Sequence, residues 1–372
     1  MKTVNGHEII QLFEEFSPKH LAEEGDPIGL QIGKLNGKVE KVMITLDVLE
    51  NVVDEAVENN VKLIIAHHPP LFRPLKSLHT DTYQGRMIEK LIKNDIAVYA
   101  AHTNLDVADG GVNDLLAEAL ELLDTSVLVP TRTEQLRKLV VYVPKENGEE
   151  LRHALGKAGA GHIGNYSNCS FSSDGKGRFL PGDKSAPHIG EKGTLEEVSE
   201  EKIETIYPMS LEKKILKAMF THHPYEEVAY DMYSLENQGE TLGLGRIGKL
   251  REEVSLKDFA ETVKETFGMD GIRVIGDMDA KVRKVAILGG DGNKFISAAK
   301  RQGADAFVSG DIYYHTAHDA MMMGLNIVDA GHHIEKVMKA GVANYLADKC
   351  AEKGYSVKIF ASESETNPFT YM

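Results

Sequence analysis

Lys62-Leu63-Ile64-Ile65-Ala66-His67-His68-Pro69-Pro70 decides the fold, because a short apolar run ends directly in a histidine pair and two prolines. A run of that length stopped by turn formers reads as a buried strand. Upstream, Val42-Met43-Ile44-Thr45-Leu46-Asp47 reads as another strand, followed by a helix-period stretch from Val52 to Asn59. Downstream, a helix around Tyr83 to Lys93 leads to Ile96-Ala97-Val98-Tyr99-Ala100-Ala101, which ends at His102-Thr103-Asn104-Leu105-Asp106. Strands alternating with helices imply βαβ units and a largely parallel sheet.

The C-terminal third repeats the rhythm. Strand Val285-Ala286-Ile287-Leu288, a Gly-rich turn and a helix from Phe295 to Arg301 lead to strand Ala306-Phe307-Val308 and then Ser309-Gly310-Asp311. A helix near Thr316 to Met323 precedes strand Asn326-Ile327-Val328, which ends in Asp329-Ala330-Gly331-His332-His333. In each half the third strand ends at a His-bearing loop. The expected class is therefore α/β: two similar α/β halves with mainly parallel sheets, facing one another.

Between the halves the pattern changes. Strand 139–144, helix Gly148 to Ala158, strand Asn168 to Phe171, a Gly-, Pro- and Asp-rich loop from Gly175 to Gly193, strand Lys202 to Tyr207, helix Leu211 to Thr221 and strand Val228 to Tyr233 follow in turn. That βαββαβ order predicts a ferredoxin-like (α+β) inserted domain over residues 128–241, with 1–127 and 242–372 forming the core. A chain of 372 residues also exceeds what one core organises.

Apolar residues make up 42% and charged residues 27%, the balance of a folded, soluble protein. The first fifteen residues lack a continuous apolar core and no later apolar run reaches about 18 residues, so neither a signal peptide nor a membrane span is expected. Two isolated cysteines, Cys169 and Cys350, form no disulfide framework, which fits a cytoplasmic setting. A formal charge of −15 makes nucleic acid a poor partner.

Ligands in parallel α/β folds collect outside the carboxyl ends of strands. His67, His68, His102, Asp106 and His332 all fall at such ends. Imidazole and carboxylate without thiolate suit a mixed N/O site for divalent ions, Zn²⁺ first, with Mn²⁺ or Fe²⁺ as alternatives. His332 and Glu335, three apart at a helix start, can reach one ion, and His333 is the alternative to His332 if the turn is irregular. Asp311 and His315 are read as groups that orient ligands, and His102 is left out of the ligand set because its loop needs a turn residue and Asp106 can be its only ligand. Gly243-Leu244-Gly245-Arg246-Ile247-Gly248 has the spacing of a dinucleotide loop without its strand-turn-helix setting. Gly289 to Lys294 reads equally as an anion-binding turn or as a plain tight turn. His222-His223-Pro224-Tyr225-Glu226 imitates the first His pair, but without a visible carboxylate partner it reads as structural or as a trimer contact.

Asp26-Pro27-Ile28-Gly29-Leu30-Gln31-Ile32-Gly33, His67 to Phe72, Ala101 to Asp106, Ser309-Gly310-Asp311 and Gly331-His332-His333-Ile334-Glu335 resemble, in order, the motifs of the Nif-three-like family. Its bacterial members are often catalogued as GTP cyclohydrolase I type 2 homologues. The match covers both outer thirds, and the middle is similar to the family's optional PII/CutA-like insert. The resemblance implies a dinuclear metal centre between the two halves, with His67, His68, Asp106, His332 and Glu335 as ligands, and a toroidal homo-hexamer. Many relatives place the final Glu four residues after the first His, whereas here it is three, which leaves His332 and His333 as alternatives.

Two functions follow as expectations. One is a metal-dependent hydrolase, in which two ions about 3.5–4 Å apart supply a nucleophile and polarise the electrophile of an anionic small molecule such as a nucleotide. Only Asp106 and Glu335 are counted against the ions, so a net positive centre is expected; which residues are catalytic is left open. The other is a non-catalytic metal-binding regulator or assembly platform.

Overall fold

The computed structural model describes residues 2–372, and the chain divides into two compact units, Met1–Arg132 with Leu242–Met372, and Thr133–Thr241. Thirteen strands are present among the described residues: β1 (Gly29–Ile32), β2 (Lys41–Thr45), β3 (Leu63–Ala66), β4 (Ala97–Ala100), β5 (Leu123–Pro144), β6 (Phe171–Phe179), β7 (Glu196–Pro208), β8 (Tyr230–Ser255), β9 (Arg273–Ile275), β10 (Lys281–Asp291), β11 (Ala306–Gly310), β12 (Asn326–Asp329) and β13 (Lys358–Ala361). The chain passes between the units within β5 and β8.

In the first unit, one sheet has the order β1-β4-β3-β2-β13. Strands β4, β3, β2 and β13 run parallel, and β1 closes the edge antiparallel to β4. All four residues of β3 are fully buried, as a parallel strand covered on both faces requires. The other sheet of this unit places β10, β11 and β12 parallel and adjacent, with β8 and β9 antiparallel at their flanks. The class is therefore mixed α/β with two sheets of mostly parallel strands. Its largest core draws on both halves: Phe13, Ile44, Ile65 and Tyr99 join Phe259, Ile287, Val308 and Leu346.

β13 breaks the sequential division into halves. It lies in the C-terminal third yet pairs in parallel with β2, Lys358 opposite Lys41 and Ala361 opposite Ile44.

The second unit follows the order β, α, β, β, α, β, with sheet order β6-β7-β5-β8. Leu139, Val141, Val143, Ile203 and Tyr207 face the helices Gly148–Ala158 and Glu212–His222, packing on Leu151, Leu155, Ile215 and Met219. The strand expected at 168–171 starts only at Phe171 and runs through Gly175 and Gly177 to Phe179, inside the stretch read as loop. Its Ser, Gly and Lys residues give no apolar alternation, so pairing with β7 along its whole length makes it a strand, not its own pattern. Gly243 to Gly248 lie within β8, which rules out the strand-turn-helix setting. Among the described residues, no helix is long and apolar enough to cross a membrane.

His223 is buried here. Its Nε2–H donates to the Tyr142 carbonyl at 2.9 Å and its Nδ1 accepts the Tyr225 N–H at 3.1 Å. Both ring nitrogens are used in the neutral form, and burial lowers the pKa although the bond to Tyr142 opposes that. A depressed pKa contributes stability present above the ordinary value near 6.5 and lost as pH falls through the folded value. The protection factor of the Tyr225 amide, its exchange rate relative to the intrinsic rate at the same pH, is therefore expected to fall from pH 7 toward pH 5. An equal fall in His223→Gln would show that another group is responsible.

Candidate metal centre

β2, β3 and β4 end on the same side of their sheet, and each delivers polar side chains there. His67 follows β3 and is fully buried. Its Nδ1–H donates to the Ala101 carbonyl at 2.9 Å, which leaves Nε2 as a lone-pair donor. That Nε2 stands 3.6 Å from Asp106 Oδ1 and 3.7 Å from Glu335 Oε2. His68 bonds Asp47 through Nδ1 at 2.7 Å and points Nε2 at Glu335 Oε2, 3.1 Å away. His332, after β12, bonds Asp311 through Nδ1 at 2.8 Å and brings Nε2 within 3.3 Å of the same oxygen.

Five groups called from widely separated positions thus converge: His67, His68, Asp106, His332 and Glu335. They fall into triads whose ligand atoms lie within 4.8 Å of one another: His67, Asp106, Glu335; and His68, His332, Glu335. A third triad joins His67 and His68 to His102. Glu335 belongs to two of them.

These groups fit a divalent ion. His67 Nε2 and Asp106 Oδ1 are buried and neither has a hydrogen-bond partner, an arrangement that costs stability unless something satisfies both. At 3.6 Å they are too far apart to bond each other. Two ligands each about 2.1 Å from one ion would be spaced about that far apart.

The spacing of three between His332 and Glu335 has a local cause. His332–Lys336 is a 3₁₀ helix, in which positions i and i+3 eclipse. His333 therefore turns away, and its Nε2 meets Glu365 Oε1 at 2.7 Å. The structure brings His332 into the cluster and leaves His333 outside it.

Besides Asp311, read from the sequence as a supporting group, several contributors were not singled out there. Asp47 and Asp311 hold the distal nitrogens of His68 and His332, and Asp26 does the same for His102 at 2.9 Å. Asn113 accepts the Gly289 N–H at 3.0 Å and donates to the Asp106 carbonyl at 2.9 Å, tying the two halves together beside the cluster. The only available signal was position: Asp47 and Asp311 also follow strand ends. His315 packs its ring on Tyr314 and belongs to none of the triads. In the second unit, His222 does have a carboxylate partner, Glu150 at 3.1 Å.

Gly289 and Gly290, near the end of β10, leave room for Glu335: a Cβ on either would stand 2.9 Å from Glu335 Oε1. The nearby amides are also spoken for, Gly292 by the Gly310 carbonyl and Asn293 by the Asp291 carboxylate. Neither of these two amides is free to receive an anion.

The electrostatics correct the expected charge count. Asp26, Asp47 and Asp311 stand directly behind the histidines, so five carboxylates surround the cluster rather than two. Burial opposes a charged His68, but its bonds to Asp47 and Glu335 outweigh that and push it up to about 10. His332 is pushed up to about 9 against the same burial by Glu335 and Asp311. Burial raises Asp106. Glu335 is held well below the usual range because its imidazole neighbours overcome burial. The site demands cationic charge and cannot count on an excess of it. Asp47→Asn is expected to weaken metal binding about 10–100-fold without abolishing it; titration with a competing chelator measures this, and an unchanged affinity would mean that Asp47 does not orient His68.

Fold and site together define a mixed α/β protein with histidine and carboxylate groups able to hold a metal ion. The family model Duf34/NIF3 (NGG1p interacting factor 3) matches residues 4–368, and the chain belongs to that family. It is 61% identical over 371 residues to a Bacillus subtilis (strain 168) protein called GTP cyclohydrolase 1 type 2 homolog, with all of both chains covered. A Listeria innocua protein of the same name is 52% identical over 372 residues, again with full coverage. Among solved structures, a Bacillus cereus protein related to NIF3 superposes with a TM-score of 0.94 at 61% identity, and a Staphylococcus aureus protein with 0.78 at 31%, each over the full length of both chains.

Proposed function

We propose that this protein is a metal-dependent hydrolase with a dinuclear centre held by His67, His68, Asp106, His332 and Glu335, acting on a nucleotide or related anionic small molecule. The observation that carries this reading is the pairing of the orphaned His67 Nε2 and Asp106 Oδ1 with a second triad through Glu335. Asp106 and His67 would hold one ion, His68 and His332 the other, with Glu335 reaching both. When bound, such a pair supplies Lewis acidity and a water nucleophile at neutral pH. The chain's own residues fix the ligand geometry: the Ala101 carbonyl, Asp47 and Asp311 orient the three imidazoles.

Room for a substrate lies beside this cluster. A cavity of about 390 Å³ is bounded by His68, Asp311 and His332 on one side and by Asn367, Phe369 and Tyr371 on the other. Zn²⁺ leads the candidate ions because the donors are nitrogen and oxygen, with Mn²⁺ and Fe²⁺ as alternatives. The name carried by the Bacillus subtilis and Listeria relatives agrees with a nucleotide substrate. The five surrounding carboxylates mean that an anion would be recognised by direct contact with the ions, not by long-range attraction.

A cytoplasmic homo-hexamer completes the proposal. The helix Tyr314–Met323 and the residue before it expose Tyr313, Tyr314, Met321 and Met322, a cluster suited to contact with further copies. The βαββαβ order of 128–241 supports a ferredoxin-like inserted module. The deciding experiment combines metal analysis of purified protein with a hydrolase screen over nucleotides and phosphoesters. Turnover that disappears in His67→Ala is expected; turnover unchanged in that variant, or none with about two ions bound per chain, would favour the non-catalytic metal-binding reading.

A further inference from the structure

The second unit has its own cavity, of about 660 Å³, formed entirely by residues between Tyr142 and Ala229. It lies on the sheet face away from the helices. Leu139, Val141, Val143 and Ile203 point into the core, so Tyr142, Glu200 and Lys202, one position out of phase along the same strands, point to the other side.

Two glycines open its floor. Gly175 pairs opposite Glu200 in the β6/β7 hairpin, and a Cβ there would meet nothing within 4 Å. Two residues on, a Cβ at Gly177 would collide with the Glu200 carboxylate. Glycine inside a strand marks places where something must approach closely; here Glu200 leans over Gly177 and the space above Gly175 stays open.

Glu200 is only 8% exposed. Among the described residues its carboxylate accepts one hydrogen bond, from the Tyr225 hydroxyl at 3.1 Å, and takes part in no ion pair. The cationic side chains around the cavity are engaged elsewhere: Lys176 and Arg178 with Glu197, Lys202 with Glu204. Beside Glu200 stands an aromatic wall. The Tyr225 ring meets Phe179 edge-on at 5.8 Å and has His188 at 6.4 Å.

A buried carboxylate without a counter-ion, an aromatic wall and an open glycine floor are complementary to one ligand chemistry. An organic cation would supply the missing charge and place its apolar part on the rings. We propose that this cavity binds a small organic cation, an aryl amine or amidine, with its charge on Glu200 and its ring against Tyr225 and Phe179. The site is separate from the metal cluster and stands or falls without it.

Isothermal titration of the full chain with benzamidine, and with its neutral isostere benzamide, tests this. Saturable binding of one benzamidine per chain is expected, at least about tenfold tighter than benzamide. Glu200→Gln should erase that preference. Gly175→Val, which adds a side chain into open space, should block both compounds, and His67→Ala should change neither. Circular dichroism confirms folding of each variant, and if Glu200→Gln does not fold, Gly175→Val decides. Equal affinity for the two compounds, undiminished benzamidine binding in either cavity variant, or no saturation by benzamidine overturns the assignment.

Discussion

In the proposed two-ion centre, Glu335→Gln is expected to remove both ions, whereas His332→Ala removes one and His333→Ala none. Glu335 Oε2 is the atom that approaches His67, His68 and His332 together, at 3.7, 3.1 and 3.3 Å. Removing one charged partner from a buried cluster costs about 3–5 kcal/mol, equal to roughly two to three and a half decades in affinity. His332 touches only the second triad, and His333 is bonded to Glu365 instead. Elemental analysis of the three variants after dialysis against metal-free buffer distinguishes them. Full occupancy in Glu335→Gln would mean that the carboxylate does not serve both triads, and loss of metal in His333→Ala would reverse the assignment of the imidazole.

Chelation should lower the melting temperature of the first unit by a comparably large amount. An ion that binds only the folded state at about a thousand times its dissociation constant stabilises by about 4 kcal/mol. For a unit of this size each kcal/mol shifts melting by about 2–4 °C, so each ion accounts for about 8–16 °C. The second unit contributes no residue to the triads, so the shift should originate in the first unit. Calorimetry with and without chelator measures it. Superimposable scans would show that the orphaned His67 and Asp106 atoms are not completed by a metal.

The strands that position the centre were legible because they are apolar throughout: β3, β4 and β11 are buried along their full length, and such runs announce themselves without neighbours. Chain order then put the histidines at their carboxyl ends. β6 was not legible, since a polar, glycine-bearing strand owes its state to the partner it pairs with. β13 was missed for a related reason: four residues long, it is defined by a contact with β2 from the opposite end of the chain. At the centre, His67, His68, Asp106 and Glu335 stood out by type and spacing. Asp26, Asp47 and Asn113 did not, because their roles are bonds to other side chains and loops, which no local pattern encodes. The choice between His332 and His333 depended on whether the turn was 3₁₀ or α, a difference of half a residue per turn that spacing alone does not resolve.

The position of β13 also bears on how the protein is made. A nascent chain can lay down β1 to β4 early, but β13, the strand that seals the β2 side of that sheet, emerges from the ribosome only after all the other strands. Until then the edge of β2 is an open template for mispairing. Completion of the amino-terminal sheet therefore waits for residues 358–361, which act as its closing step.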